Sequence, residues 1–271
     1  MKSLLLLCAE NVAKYNKENL NEYCYDIVAL YNDNNRNWNR VLISSCENGY
    51  LNIVKYLIEH DAINPHGFNG STDKYARYNS SLVLASEKGY FNIVKYLIEH
   101  SAKCPNGPND NNEALRRASS KGHLEIVKYL INHNNGYINY DDSLLYASKN
   151  DHLEVVKYLI NHSTSHNIDY DNPLYIASKY NHLEVVKYLI KHGAGPIGPH
   201  TKYNLALFNA SHYGHLEIVK YLIKNGSNIN SALQWTYTSN HLEIVKYLIK
   251  HGANTYKLNW YSRIYLWWKF N

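Results

Sequence analysis

Histidine both binds transition metals and moves protons near neutral pH, and this chain of 271 residues has fifteen. Eleven of them recur at two fixed places. His123, His152, His182, His215 and His241 each follow a short turn, while His60, His100, His133, His162, His192 and His251 each close an apolar segment. His123-Leu124-Glu125 also has the His-x-Glu form of zinc deaminases, but no Pro-Cys-x-x-Cys accompanies it, and the triplet is repeated along the chain. The four cysteines (Cys8, Cys24, Cys46, Cys104) form no CxxC and have no regular spacing, as expected of free thiols in a reducing compartment. No Gly-rich phosphate loop, Gly-x-Ser-x-Gly elbow or paired-carboxylate cleft is present. The chemistry on offer is therefore metal binding by histidine, or none.

What positions these histidines is a phrase written seven times, close to Ile-Val-Lys-Tyr-Leu-Ile. Its lysines are Lys55, Lys95, Lys128, Lys157, Lys187, Lys220 and Lys246, at spacings of 40, 33, 29, 30, 33 and 26 residues. A period of this size means a stacked array whose units bury their apolar faces against neighbours. Before each phrase stands a turn residue: Gly49, Gly89, Gly122, Asp151, Asn181, Gly214 or Asn240. All seven are of types that enter the left-handed conformation cheaply. Seven positions upstream is always leucine (Leu42, Leu82, Leu115, Leu144, Leu174, Leu207, Leu233), and four upstream a small residue (Ser45, Ala85, Ala118, Ala147, Ala177, Ala210, Thr236). The two share one helical face, and the small one admits a close neighbour. Ten upstream is Asn or Asp (Asn39, Asn79, Asn112, Asp141, Asp171, Asn204, Asn230), expected to cap this first helix or close the turn leading into it.

The phrase itself is the second helix. Leu124, Val127 and Ile131 cluster on an apolar arc with Ile126 and Leu130 beside them, opposite Glu125, Lys128 and Asn132. Tyr129 falls at the boundary, its ring packed and its hydroxyl wet. Glu125 and Lys128 form an (i, i+3) pair worth about 0.2–0.5 kcal/mol. Each unit is thus two antiparallel helices and a variable connector.

These residues resemble ankyrin repeats over about residues 39–257, most strongly at Gly122-His123-Leu124-Glu125-Ile126-Val127-Lys128-Tyr129-Leu130-Ile131 and at Lys191-His192-Gly193-Ala194. Of the family's Thr-Pro-Leu-His start only the leucine is kept, and Asn172-Pro173-Leu174-Tyr175 comes nearest. The resemblance implies an all-α ankyrin-repeat solenoid of helix–turn–helix units, with short or trimmed hairpin fingers and one enlarged finger at 61–78. It also implies neighbouring units about 10 Å apart, too far for one histidine per unit to meet on a zinc whose ligands lie at about 2 Å. No metal or other cofactor is expected, nor catalysis. In style, with Lys-Tyr-Leu-Ile and little else, the chain resembles ankyrin proteins of large DNA viruses.

The expected function is a non-enzymatic scaffold that binds another protein through its concave face and fingers. The pairs before each turn vary while their surroundings do not, and in ankyrin domains such positions resemble the binding surface. The candidates there are Lys88, Lys121, Lys149, Lys179, Tyr180, His212 and Tyr213, joined by Phe68, Tyr75, Arg77 and Tyr78 of the enlarged finger. The pairs run from acidic at Glu47 to basic and aromatic by the fourth to sixth units, suiting a partner with acidic and aromatic groups. Nucleic acid is not expected, because the repeated lysines each have a nearby Glu and the net charge is only +5.

Residues 1–36 are expected to form a helical cap, 37–257 the seven repeats, and 258–271 an aromatic C-terminal cap or tail. Glu10 and Asn11 interrupt the apolar Leu4–Leu7 stretch, so it is read as a helix start rather than a signal peptide. No apolar run reaches the length of a membrane span. The expected state is a cytoplasmic monomer. An alternative places Leu4, Cys8 and Val12 in a segment similar to the elongin C-binding box of cullin-type ubiquitin-ligase adaptors, without the proline-containing sequence that normally follows it.

Overall fold

The computed structural model describes residues 38–59, 73–100, 111–134, 136–163, 168–195, 202–238 and 240–257. These residues form α-helices with one short 3-10 turn and no strand. The chain divides into two compact units, Met1–Ile138 and Asn139–Asn271.

Among the described residues, the first unit contains three helix pairs: α1 (Trp38–Asn48) with α2 (Leu51–Glu59), α3 (Asp73–Lys88) with α4 (Phe91–His100), and α5 (Asn111–Lys121) with α6 (Leu124–Asn132). The second contains four: α7 (Tyr140–Lys149) with α8 (Leu153–His162), α9 (Asp171–Lys179) with α10 (Leu183–Lys191), α11 (Lys202–His212) with α12 (Leu216–Lys224), and α13 (Ile229–Thr238) with α14 (Leu242–Lys250). Within each unit every first helix packs on the next first helix, and every second helix on the next second helix. The all-α, helix–turn–helix expectation is met.

The turn chemistry follows the alignment. Asp151, Asn181 and Asn240 take φ of 62°, 67° and 58°, and the four glycines at the same place take 76–84°. The next residue then donates its N–H back to the small residue four before the turn, as in His123 N to Ala118 O (3.0 Å) and His215 N to Ala210 O (2.8 Å). This is the Schellman closure of a helix end. The leucines at the seventh position and the small residues at the fourth are buried in every pair. In the second helix, Ile126, Val127 and Leu130 are the buried ones, while Leu124 and Ile131 are half-buried.

Three expectations need correction. The Asn/Asp residues ten before each turn do not cap the first helices, since each lies inside its helix. Three of them reach forward to the next repeat: Asp141, Asn204 and Asn230 accept from the backbone N–H of Asp169 (3.1 Å), Asn228 (3.2 Å) and Asn254 (2.6 Å). The capping falls two residues earlier, where Asn139 accepts from Asp142 N, Asp169 from Asp171 N and Asn172 N, and Asn228 from Asn230 N.

The segment 61–78 is not a loop throughout, because α3 starts at Asp73 and carries residues 74–78 in helix. Tyr78, expected on a binding finger, is instead buried, and its hydroxyl donates to the Leu97 carbonyl. Tyr140 and Tyr203 occupy the same register and donate to His162 O and Asn225 O, both at 3.2 Å. Burial pushes the Tyr203 phenol up to about 12, with a hydrogen bond to Ser227 partly opposing it. These tyrosines tie α3, α7 and α11 to the ends of their partner helices.

Candidate binding ridge

The recurrent histidines have structural partners. Those at the start of the second helices place Nε2 against a carbonyl of the preceding repeat: His123 on Glu87 O (3.0 Å), and His182, His215 and His241 on Lys149 O, Lys179 O and His212 O (each 2.9 Å). A carbonyl only accepts, so Nε2 carries the hydrogen. At the far end, His100, His133, His162 and His251 place Nδ1 at 2.8–3.0 Å from the carbonyl of the tyrosine four residues before, and stack on that tyrosine's ring. No group of three or more His, Cys, Asp or Glu suited to a metal occurs among the described residues. Cys46 is free and buried, and burial pushes its thiol up to about 12, a hydrogen bond with Ser81 partly opposing.

What varies is the ridge formed by the C-terminal ends of the first helices. In the first unit its carboxylates Glu87 and Glu113 are paired with cations of the ridge itself. Glu87 accepts from Arg117 (3.2 Å) and lies 3.8 Å from Lys121 Nζ. Glu113 takes Nε of Arg116 (2.7 Å) and Nε of Arg117 (2.8 Å). Burial would raise the Glu113 carboxyl, but hydrogen bonds and charge from the two arginines outweigh it and hold it below its usual range. Lys121 is therefore engaged within the ridge, and Lys88 is exposed beside it. Phe68 lies outside the described residues, as do the side chains of Tyr75 and Arg77.

In the second unit the same positions carry cations and rings. Tyr180 and Tyr213 are 43% and 45% exposed. Lys149 Nζ lies 6.0 Å from the centre of the Tyr180 ring, and Lys179 Nζ lies 5.5 Å from Tyr180 and 5.6 Å from Tyr213. His212 meets Tyr213 edge-on at 4.9 Å. These distances fall within cation–π range, so five of the expected residues form one continuous ladder across α7, α9 and α11. No carboxylate pairs with Lys149 or Lys179 among the described residues; the nearby Asp151 faces His182 Nδ1 at 3.7 Å.

The ladder continues along α11, where Leu205 (47% exposed) and the half-buried Phe208 share a face with His212 at (i, i+3, i+7) spacing. Tyr175 on α9 holds the position equivalent to Phe208. The sequence carries a partial signal for Tyr175 and Phe208, an aromatic residue just after the recurrent leucine, where the first unit has Ile43, Val83 and Arg116.

A groove of about 470 Å³ on the second helices offers a weaker alternative. Its Lys187 and Lys220 are already paired with Glu184 (2.7 Å) and Glu217 (2.6 Å), as the (i, i+3) spacing predicts. Among the described residues, no helix is long and apolar enough to cross a membrane. The segment with Leu4, Cys8 and Val12, and the aromatic tail 258–271, lie outside the described residues.

A family model described as ankyrin repeats (3 copies) matches residues 63–143, 134–200 and 196–259. No curated protein matches the chain. With helix pairs, turn geometry and family match covering the same repeats, the chain belongs to the ankyrin-repeat family.

Proposed function

We propose that the protein is a non-enzymatic scaffold whose second unit binds a protein partner along the Lys149–Lys179–Tyr180–His212–Tyr213 ridge. Ankyrin repeats are a protein–protein interaction domain, and their proteins are generally binding scaffolds rather than enzymes. The observation that carries the assignment to this ridge is the pair of lysines with no carboxylate partner among the described residues, set among half-exposed tyrosines. Aromatic and cationic side chains in a packed, partly desolvated setting are the usual hot spots of interfaces. Monomeric state and the cytoplasm, the host's if the likeness to viral ankyrin proteins extends to origin, belong to the same proposal.

The test is affinity capture from the native cell with quantitative comparison of variants. Lys149→Glu with Lys179→Glu is expected to lose the partner by about tenfold or more. Lys88→Glu in the first unit is expected to retain it. Equal capture by both variants, with unfolding curves unchanged, would remove the ridge from the binding surface.

A further inference from the structure

Resting on that ridge as the binding surface, we infer that its partner is an extended acidic segment carrying two carboxylates three residues apart. A lysine held over an aromatic ring still has N–H donors on its open side. Lys149 and Lys179 thus each present a donor cluster of fixed position, one on α7 and one on α9. Packed helices lie about 8–10 Å apart, and in an extended chain of polyproline II form, with three residues per turn and a rise of about 3.1 Å each, side chains at i and i+3 share one face about 9 Å apart. A carboxylate at i meets one lysine and a carboxylate at i+3 the other.

Both lysines lie within 6.0 Å of the centre of the exposed Tyr180 ring, which supplies an apolar wall against the intervening residues. Two carboxylates at i and i+3 of a helix would not span the same gap, because they rise only about 4.5 Å along its axis. Charge complementarity selects acid over base, since Glu87 and Glu113 of the first unit, which would compete for the lysines, have no counterpart pairing with Lys149 or Lys179.

The experiment uses the full chain and short fluorescent peptides of one composition in a Gly/Ser background. One has Glu at i and i+3, a second has the two Glu adjacent, and a third has Gln in their place. The spaced peptide is expected to bind about tenfold tighter than the Gln peptide and about threefold tighter than the adjacent isomer, with the advantage lost in high salt. In the Lys149→Glu with Lys179→Glu protein, preference should pass to a peptide with Lys at i and i+3. Equal binding of the Glu and Gln peptides, no binding of any peptide, or an unchanged preference in the variant overturns the inference. Tyr180→Ala with Tyr213→Ala separates the two levels. If it loses the cellular partner while the peptides fail to discriminate, the ridge stands and the acidic spacing falls. If it keeps the partner as the charge variant does, the ridge itself falls.

Discussion

At the same place in the repeat, the first unit sets Glu87 among Arg117 and Lys121, and the second sets Lys149 and Lys179 around Tyr180. The helices beneath are built alike, with buried leucines, Schellman turns and histidine bonds to the preceding repeat. In one ridge Glu87 and Glu113 already hold Arg116, Arg117 and Lys121, so an incoming ligand would have to compete with those ion pairs for these cations. The other exposes donors and rings whose partners are not in the described residues. Charge balance within a ridge, more than the number of its lysines, decides how many of its cations stand without an acid partner.

The comparison assumes a shared framework, and the largest expected effect tests that. Gly89 and Gly214 have φ of 84° and 83°, and a Cβ on either would stand 2.6 Å from the imidazole of His123 or His241. Gly89→Ala and Gly214→Ala should each cost about 2–3 kcal/mol in urea unfolding, combining left-handed strain with a displaced histidine bond. A much smaller loss in one unit would show that the frameworks differ. Next come Tyr78→Phe and Tyr203→Phe, each expected to cost about 1 kcal/mol. Because folding raises the Tyr203 phenol from its ordinary value near 10 to about 12, its contribution is intact below pH 10 and is lost between pH 10 and 12. Tyr203→Phe should flatten that part of an alkaline stability curve.

The ridges diverge again in acid. Glu113 is held below the usual carboxylate range, so its stabilisation is present above the unfolded value near 4.3 and fades as pH falls through the lower folded one. Glu113→Gln should remove that dependence from the first unit, read by the amide shifts of α5, while shifts of α9 stay as they were. The smallest effect belongs to the outer pairs. Glu217→Gln, which releases Lys220, should change stability by about 0.2–0.5 kcal/mol at low salt and less at high salt.

The repeat was legible because stacking imposes residue types at fixed offsets: leucine and a small residue for packing, Gly, Asn or Asp for the left-handed turn. The caps were misplaced by two residues because two Asn/Asp positions compete for one role, and only coordinates show Asp141 and Asn204 reaching forward. The 40-residue spacing has the length of a long loop and conceals the place of Tyr78, because nothing local in the sequence marks the start of α3 at Asp73. Its equivalence to Tyr140 and Tyr203 was nevertheless present in the register. The cation–aromatic ladder was legible residue by residue, since each member precedes a turn. The pairing within the first unit's ridge depends on Glu87 meeting Arg117 thirty residues away, a contact that no local pattern announces.

The bonds from His123, His182, His215 and His241 each end on a carbonyl of the residue two before the previous turn, the residue whose side chain lies on the ridge. That acceptor is a main-chain atom, common to all twenty amino acids. Glu87, Lys149, Lys179 and His212 serve it equally well. A change of side chain there alters what the surface recognises and leaves the fastening beneath it intact, so specificity can be rewritten one repeat at a time without retuning the scaffold.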